Sequence, residues 1–271
     1  MSDRLLNYLS EHTAGGVALA FSGGVDSTLL LHALLRQQKQ APFPLLAYYF
    51  RTPLHTEEET QAALRTAQEA GAELVEMRFD PLRLPLLRFN PQDRCYHCKG
   101  HIFSQMQKDA QARGLHTIMD GTNADDHRQY RPGLRALREL GVLSPLAAAG
   151  LTKAEVRALA AEWGLACSTK PSAPCLATRF DYGAELTEEA VRRVEAGEKL
   201  LHRLFPGQPV RLRVHGNLAR LEVPAALMPQ AVAAAPELVR ELRAVGYRHI
   251  TLDLQGFRSG SMDEQLPQHH A

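Results

Sequence analysis

The sequence predicts an α/β protein: a largely parallel sheet with helices on both faces, then a smaller C-terminal α+β domain. Three observations carry this. Over the first 180 positions, apolar runs of strand length alternate with amphipathic helical stretches, the pattern of parallel strands joined by helical crossovers. The block Ser22-Gly23-Gly24-Val25-Asp26-Ser27 stands between an apolar strand and a helix, and ligands of parallel sheets bind beyond the C-terminal ends of strands. After about residue 180 the pattern changes to a long helix, short alternating strands, another helix and a last strand.

Residues 4–10 read as a short helix, and the compact apolar run 17–21 as a buried strand. Leu29, Leu30, Ala33 and Leu34 give residues 27–38 a helical stripe. Residues 45–50 are the next strand, and 57–70 a helix that stops near Gly71. A third strand covers 74–79. Pro81, Pro85 and Pro91 give 80–94 an extended or looping path. A helix over 97–113 closes at Gly114, a short strand over 117–120 enters GTNADD, and a helix over 153–163 opens at Thr152 and stops at Gly164. Beyond these come a helix over 186–205, strands in RLRVHG and ARLEVP, a helix over 229–245 and the strand ITLDLQGF. Val210, Leu212 and Val214 alternate with Arg211 and Arg213, which predicts a half-buried strand with a basic face. The expected division is 1–180, 181–262 and a disordered tail over 263–271. No internal repeat is visible.

Of the 271 residues, 45% are hydrophobic and 23% charged, enough for an ordinary globular core. The formal net charge of +1 announces neither nucleic acid nor an anionic membrane as partner. No apolar run reaches membrane-spanning length, and the N-terminus does not read as a secretion signal. The expected location is cytoplasmic. Four cysteines in a chain this long, Cys95, Cys98, Cys167 and Cys175, do not make a disulfide scaffold.

Gly23 and Gly24 permit a tight turn and let backbone N–H groups approach a ligand. Ser22 and Ser27 add hydroxyls, and the helix that follows offers its positive end. Together they describe an anion site, most naturally for phosphate. Asp26 conflicts with bare phosphate, and Mg²⁺ held between them resolves the conflict. Neither a Walker lysine nor a GxGxxG dinucleotide turn is present.

SGGVDS resembles the loop of the ATP-pyrophosphatase (adenine nucleotide alpha hydrolase-like) superfamily, whose members split ATP between its α and β phosphates. Five further blocks, NPQDRCYHCKGHIF, GTNADDHRQYRPGLRAL, STKPSAPCLATRFDYG, RLRVHGNLARLEV and ITLDLQGFRSGSM, follow in order. The set resembles the ATP-dependent sacrificial sulfur transferase family known as LarE, over essentially the whole chain to about residue 262. The resemblance implies that ATP and Mg²⁺ are used to adenylate a carboxylate of a pyridinium dicarboxylate mononucleotide. It implies that Cys175 attacks, AMP leaves, and the cysteine's own C–S bond breaks to leave dehydroalanine. The product would feed synthesis of the nickel-pincer nucleotide cofactor, with a nickel-inserting enzyme and lactate racemase downstream. The family forms dimers that assemble further, so a homo-oligomer is expected.

Carried over residue by residue, Ser22, Gly23, Gly24, Asp26, Ser27, Thr122, Asn123 and Asp125 are candidate nucleotide or Mg²⁺ contacts. Arg131, Arg179, Arg211, Arg213 and Asp253 are candidates for the mononucleotide, with Arg258 and Ser259 as weaker ones. Cys175 sits between constraining prolines and the basic Arg179, and nearby positive charge favours a thiolate. Elimination of sulfur needs a base, for which Glu198 and Lys170 are candidates. Cys95 and Cys98 can grip a metal or form a redox dithiol. With Cys175 they can also complete the three-cysteine [4Fe–4S] site of another family branch, in which the cluster carries the sulfur. Cys167 reads as a core or boundary thiol. An adenylating tRNA thiolase is an alternative that the absence of a basic tract disfavours. GMP synthetase-like amidotransfer lacks its glutaminase domain, and a bare nucleotide-binding module leaves Cys175 unexplained.

Overall fold

Four apolar runs become four parallel strands. The computed structural model describes residues 2–128, 131–171, 173–258 and 260–262. Helix α1 (Ser2–His12) precedes β1 (Val17–Ala20), and α2 (Val25–Gln40), β2 (Leu45–Arg51), α3 (Glu57–Glu69) and β3 (Leu74–Arg78) follow. The segment Leu82–Pro91 carries α4 (Pro85–Arg88). Then come α5 (Arg94–Ala112), β4 (Thr117–Met119), α6 (Gly133–Glu139), α7 (Pro145–Ala148) and α8 (Lys153–Glu162). The strand order is β3-β2-β1-β4, every pairing parallel. The chain thus builds outward from β1 through β2 to β3, then crosses back to place β4 on the other side of β1. That reversal opens a crevice at the C-terminal ends of β1 and β4, where open α/β sheets bind ligands.

Burial explains the sequence pattern. Leu29, Leu30, Leu31 and Leu34 of α2 are fully buried with Val17 and Leu19 of β1, each side chain stabilising the fold by about 1.5–3 kcal/mol. Tyr48 and Tyr49 of β2 are buried, yet their hydroxyls donate to Asp109 at 2.8 Å and Thr60 at 3.0 Å, so the polar ends stay satisfied. Thr56 and Thr152 form complete capping boxes with Glu59 and Glu155 at the starts of α3 and α8. Cys167 lies in the same core, as its position after α8 suggested, and burial pushes its thiol pKa up.

Contacts divide the chain into two compact units, Met1–Pro81 with Gln92–Ala173, and Leu82–Pro91 with Pro174–Ala271. The second holds α9 (Glu188–Leu204), β5 (Arg211–His215), β6 (Leu218–Glu222), α10 (Met228–Ala233), α11 (Ala235–Ala244) and β7 (His249–Leu252). Its sheet runs β5-β6-β7, antiparallel then parallel. Leu82–Pro91 belongs here because of Asn90, which is fully buried at φ 45°, a left-handed conformation that asparagine tolerates. Its side-chain amide donates to the carbonyls of Phe180 at 3.1 Å and Asp181 at 2.9 Å.

Three expectations change. Segment 80–94 contains a 3₁₀ turn (Pro81–Arg83) and α4; proline suits the first helical turn, where its missing N–H has no partner to lose. The single helix expected over 229–245 is two, α10 and α11, because Pro236 opens a new helix instead of continuing the old. Strand β5, expected to be half-buried, is buried on both faces at its centre, where Arg213 is only 7% exposed beside the buried Leu212 and Val214. Ser259 and the tail over 263–271 lie outside the described residues. Among the described residues no helix is long and apolar enough to cross a membrane.

Candidate functional site

The loop after β1 is shaped by glycine. Gly23 has φ +70°, and a Cβ there would lie 2.6 Å from the Cβ of Ala63, so both conformation and space demand glycine. Gly24 caps α2 without a side-chain bond. Ser22 and Ser27 close the loop on itself: their hydroxyls lie 3.1 Å apart, the Ser22 N–H donates to Ser27 Oγ at 3.2 Å, and Ser27 Oγ donates to the Gly24 carbonyl at 3.2 Å. Gly121, at the end of β4, lets that strand approach closely; a Cβ there would be 2.9 Å from the Ser27 nitrogen.

Asp26 and Asn123, 97 residues apart in sequence, meet at this crevice. Asn123 Nδ2 donates to Asp26 Oδ1 at 3.1 Å, and Lys153 Nζ ion-pairs with Asp26 Oδ2. Asp125 binds the start of α8. Its Oδ2 accepts from the Lys153 N–H at 2.8 Å and caps α8. Asp126 accepts from the Asn123 N–H at 3.0 Å and pairs with Arg131 at 3.0 Å. Thr122 Oγ1 donates to the buried Asp120. Lys170 Nζ donates to the Gly23 carbonyl at 3.2 Å, while Arg157 fixes the backbone carbonyls of Ser168 and Lys170. Backbone amides at a helix start, two hydroxyls, one acid and two ammonium groups suit a polyphosphate. Asp26 is the acid that could share a Mg²⁺ with that polyphosphate, since Mg²⁺ is usually held by one or two carboxylates together with substrate phosphates.

In the second unit Cys175 is half-buried at the start of a 3₁₀ turn, Leu176–Arg179. Its carbonyl accepts from Thr178 N at 3.0 Å and Thr178 Oγ1 at 2.9 Å. Arg179 is 4% exposed and forks onto Glu198, with Nε–Oε1 and Nη2–Oε2 both 2.8 Å; its Nη1 donates to the Pro174 carbonyl at 2.9 Å. Glu198 Oε1 also accepts from the Leu212 N–H at 3.1 Å. The pair therefore ties the cysteine turn to α9 and β5. Gly197 beside it permits the close packing, because a Cβ there would meet Leu212 Cδ1 at 2.4 Å.

Arg213 Nε pairs with Glu222 Oε1 at 3.0 Å, its Nη2 donates to Ser261 Oγ at 2.8 Å, and its Nη1 donates to the Thr178 carbonyl. Glu222, fully buried, was not singled out from the sequence. The available signal was an acid on β6 next to a basic strand. Arg211 differs: among the described residues no carboxylate pairs with it, and it lies over the Phe257 ring at 5.4 Å. Burial first, and then the charge of Arg179, pull its guanidinium pKa down. Asp253 lines a cleft of about 650 Å³ with Arg220, Gln255 and Arg258, its Oδ2 3.6 Å from Arg220 Nε.

Cys95 and Cys98 are the second and fifth residues of α5, within its first two turns. His97 turns back to Asp93 at 2.9 Å, and His101 stacks on Phe79. Among the described residues, no group of three or more His, Cys, Asp or Glu side chains is arranged to hold a metal ion.

No protein-family model matches the chain. It is 37% identical over 251 residues to the pyridinium-3,5-bisthiocarboxylic acid mononucleotide synthase of Lactiplantibacillus plantarum, covering 92% of this chain and 90% of that protein. An uncharacterized protein of Synechocystis is 38% identical over 250 residues, covering 92% of both chains. An uncharacterized protein of Methanocaldococcus jannaschii is 29% identical over 243 residues, covering 90% of this chain and 91% of that one.

Proposed function

The chain belongs to the LarE family of pyridinium-3,5-bisthiocarboxylic acid mononucleotide synthases, and from that premise we propose that it is an ATP-dependent sulfurtransferase of the ATP-pyrophosphatase fold that spends Cys175. The substrate is a pyridinium mononucleotide carrying a carboxylate. Its carboxylate oxygen bonds to the α-phosphorus as the bond to the bridging oxygen breaks, and pyrophosphate leaves with the electron pair. The N–H groups after Gly23 and the hydroxyls of Ser22 and Ser27 bind the polyphosphate. Asp26 is the residue to hold Mg²⁺, which neutralises phosphate charge when bound. Arg211, which no carboxylate pairs with among the described residues, binds the phosphate or a carboxylate of the mononucleotide.

The Cys175 thiolate then bonds to the acyl carbon, the C–O bond to phosphate breaks, and AMP departs. A base removes the Cys175 α-proton, and the freed electron pair forms the Cα–Cβ double bond while the pair of the Cβ–S bond moves onto sulfur. That bond breaks, the sulfur stays with the substrate as a thiocarboxylate, and the protein keeps dehydroalanine. Arg179 and Glu198 position this turn; most of the Arg179 donors are already spent on Glu198, Pro174 and Thr178. The product serves nickel-pincer nucleotide synthesis, and the protein works as a cytoplasmic homo-oligomer.

The observation that carries this reading is Cys175 itself, a half-buried thiol at the start of a turn anchored by a buried ion pair. The test is the intact mass of anaerobically purified protein, before and after ATP, Mg²⁺ and the pyridinium mononucleotide. A loss of about 34 Da mapped to Cys175, the mass of H₂S, is expected. Thiocarboxylate product with Cys175 unchanged would overturn sacrifice and direct attention to Cys95 and Cys98.

A further inference from the structure

From the sacrificial use of Cys175 set out above, on which this rests, we propose that Thr178 is a catalytic residue: its hydroxyl and N–H, backed by Arg179, form an oxyanion site around the Cys175 carbonyl oxygen. When the base takes the Cys175 α-proton, the C–H electron pair moves into the bond between Cα and the carbonyl carbon. The carbonyl π pair moves onto oxygen. The charge of that enolate falls on the Cys175 carbonyl. As the pair returns, the Cα–Cβ double bond forms and the Cβ–S pair leaves on the sulfur of the thiocarboxylate. The α-proton of a peptide residue is very weakly acidic, so fixed donors aimed at this oxygen act where the barrier is high.

The donors are in place. The Cys175 carbonyl accepts from the Thr178 N–H at 3.0 Å and from Thr178 Oγ1 at 2.9 Å, distances that suit an oxyanion. The same hydroxyl accepts from Arg179 Nη1 at 2.8 Å, and that nitrogen stands 3.5 Å from the carbonyl oxygen itself. A guanidinium donating to a hydroxyl strengthens the bond that the hydroxyl donates onward. Arg179 meets Glu198 through Nε and Nη2, so the edge it turns to the cysteine carbonyl is the positive one. The guanidinium is buried, where water screens little. The carbonyl of Cys167 is the internal contrast. It too lies in a 3₁₀ turn and accepts the Lys170 N–H at 3.0 Å, but among the described residues no side chain adds to that bond. Such a turn needs only its backbone donor; the hydroxyl and the guanidinium at Cys175 are additions.

The test follows the intact mass of anaerobic protein with ATP, Mg²⁺ and the pyridinium mononucleotide. Two masses mark the two steps. The protein–substrate thioester is heavier than the starting protein by the substrate less water, and the dehydroalanine form is lighter by about 34 Da. Thr178→Val keeps the side-chain shape and removes the hydroxyl. Its thioester should form within about threefold of the wild-type rate and convert to dehydroalanine about 100-fold more slowly, the loss typical of one oxyanion donor. Thr178→Ser should recover most of that loss. Equal slowing of both steps would make the hydroxyl structural and overturn the proposal, as would unchanged elimination. Wild-type protein that yields thiocarboxylate with Cys175 intact would overturn the sacrificial use of the cysteine itself. Should Thr178→Val fail to fold, the wild type answers without substrate. A 1,4-dihalide turns a thiol into a cyclic sulfonium, which base eliminates to dehydroalanine with loss of the cyclic thioether. In folded protein Cys175 should eliminate at least about tenfold faster than the exposed Cys95. Equal rates, or an advantage that survives denaturant, would overturn the oxyanion site.

Discussion

Arg179 and Glu198 form a bidentate ion pair in which both partners are less than 10% exposed and both N–O distances are 2.8 Å. The pair anchors the turn that begins at Cys175. Breaking one partner of a buried pair typically costs about 3–5 kcal/mol, because the remaining charge loses its compensation. Glu198→Gln should therefore lower the denaturation midpoint of the protein and slow sulfur transfer. ATP-dependent release of AMP and pyrophosphate should be affected less. Chemical denaturation and product assays on the same variant check this. An unaltered midpoint would mean that the pair does not anchor the turn.

Arg211 and Arg213 share a strand but not a fate. Arg213→Gln leaves the fully buried Glu222 without its main partner and should destabilise the fold by several kcal/mol. Arg211→Gln removes a guanidinium that no carboxylate pairs with among the described residues, so stability should hold or rise slightly. Its binding of the pyridinium mononucleotide should fall at least about tenfold. Thermal melting and ligand titration on the two variants separate a binding arginine from a structural one.

Gly23→Ala puts a methyl group 2.6 Å from the Ala63 Cβ in a left-handed backbone conformation. The expected cost is about 1–3 kcal/mol of local strain, with a larger loss of ATP binding because the loop must shift. Gly71, also at positive φ, has open space around its Cβ position. Its alanine variant should cost less and leave ATP binding intact.

The thiols should separate by reactivity. Alkylation requires the thiolate, and burial raises the pKa of Cys167. At a pH near 8 Cys167 should react slowest of the four cysteines, its rate rising with pH over a range higher than that of an ordinary thiol. The exposed Cys95 and the half-buried Cys175 should react first. Mass-spectrometric mapping after timed alkylation reads the order. Fast labelling of Cys167 in the folded protein would contradict its place in the core.

The sequence alone determined the parts of this protein that depend on neighbours along the chain. Apolar runs bounded by glycine set β1 and β4, a run bounded by prolines set β2, capping threonines set the starts of α3 and α8, and SGGVDS marked the loop. Each is a local choice of backbone geometry, and hydrophobic periodicity reports it directly. Cys175 was legible from its proline-flanked block and the resemblance that block carries.

Tertiary structure alone decided which polar groups face one another. An alternating strand looks the same whether its arginines meet water or a buried carboxylate, so Arg213 read as part of a basic face until Glu222 was seen against it. The sequence marked Arg179 as a candidate ligand group and gave no sign that Glu198 faces it. Asp26 gained Asn123 and Lys153 only because the sheet returns across β1 to β4, which brings together residues 97 and 127 positions apart. Burial makes such pairings obligatory, since a charge removed from water must be compensated nearby. Which distant residue supplies the compensation is a property of the topology, and no local pattern encodes it.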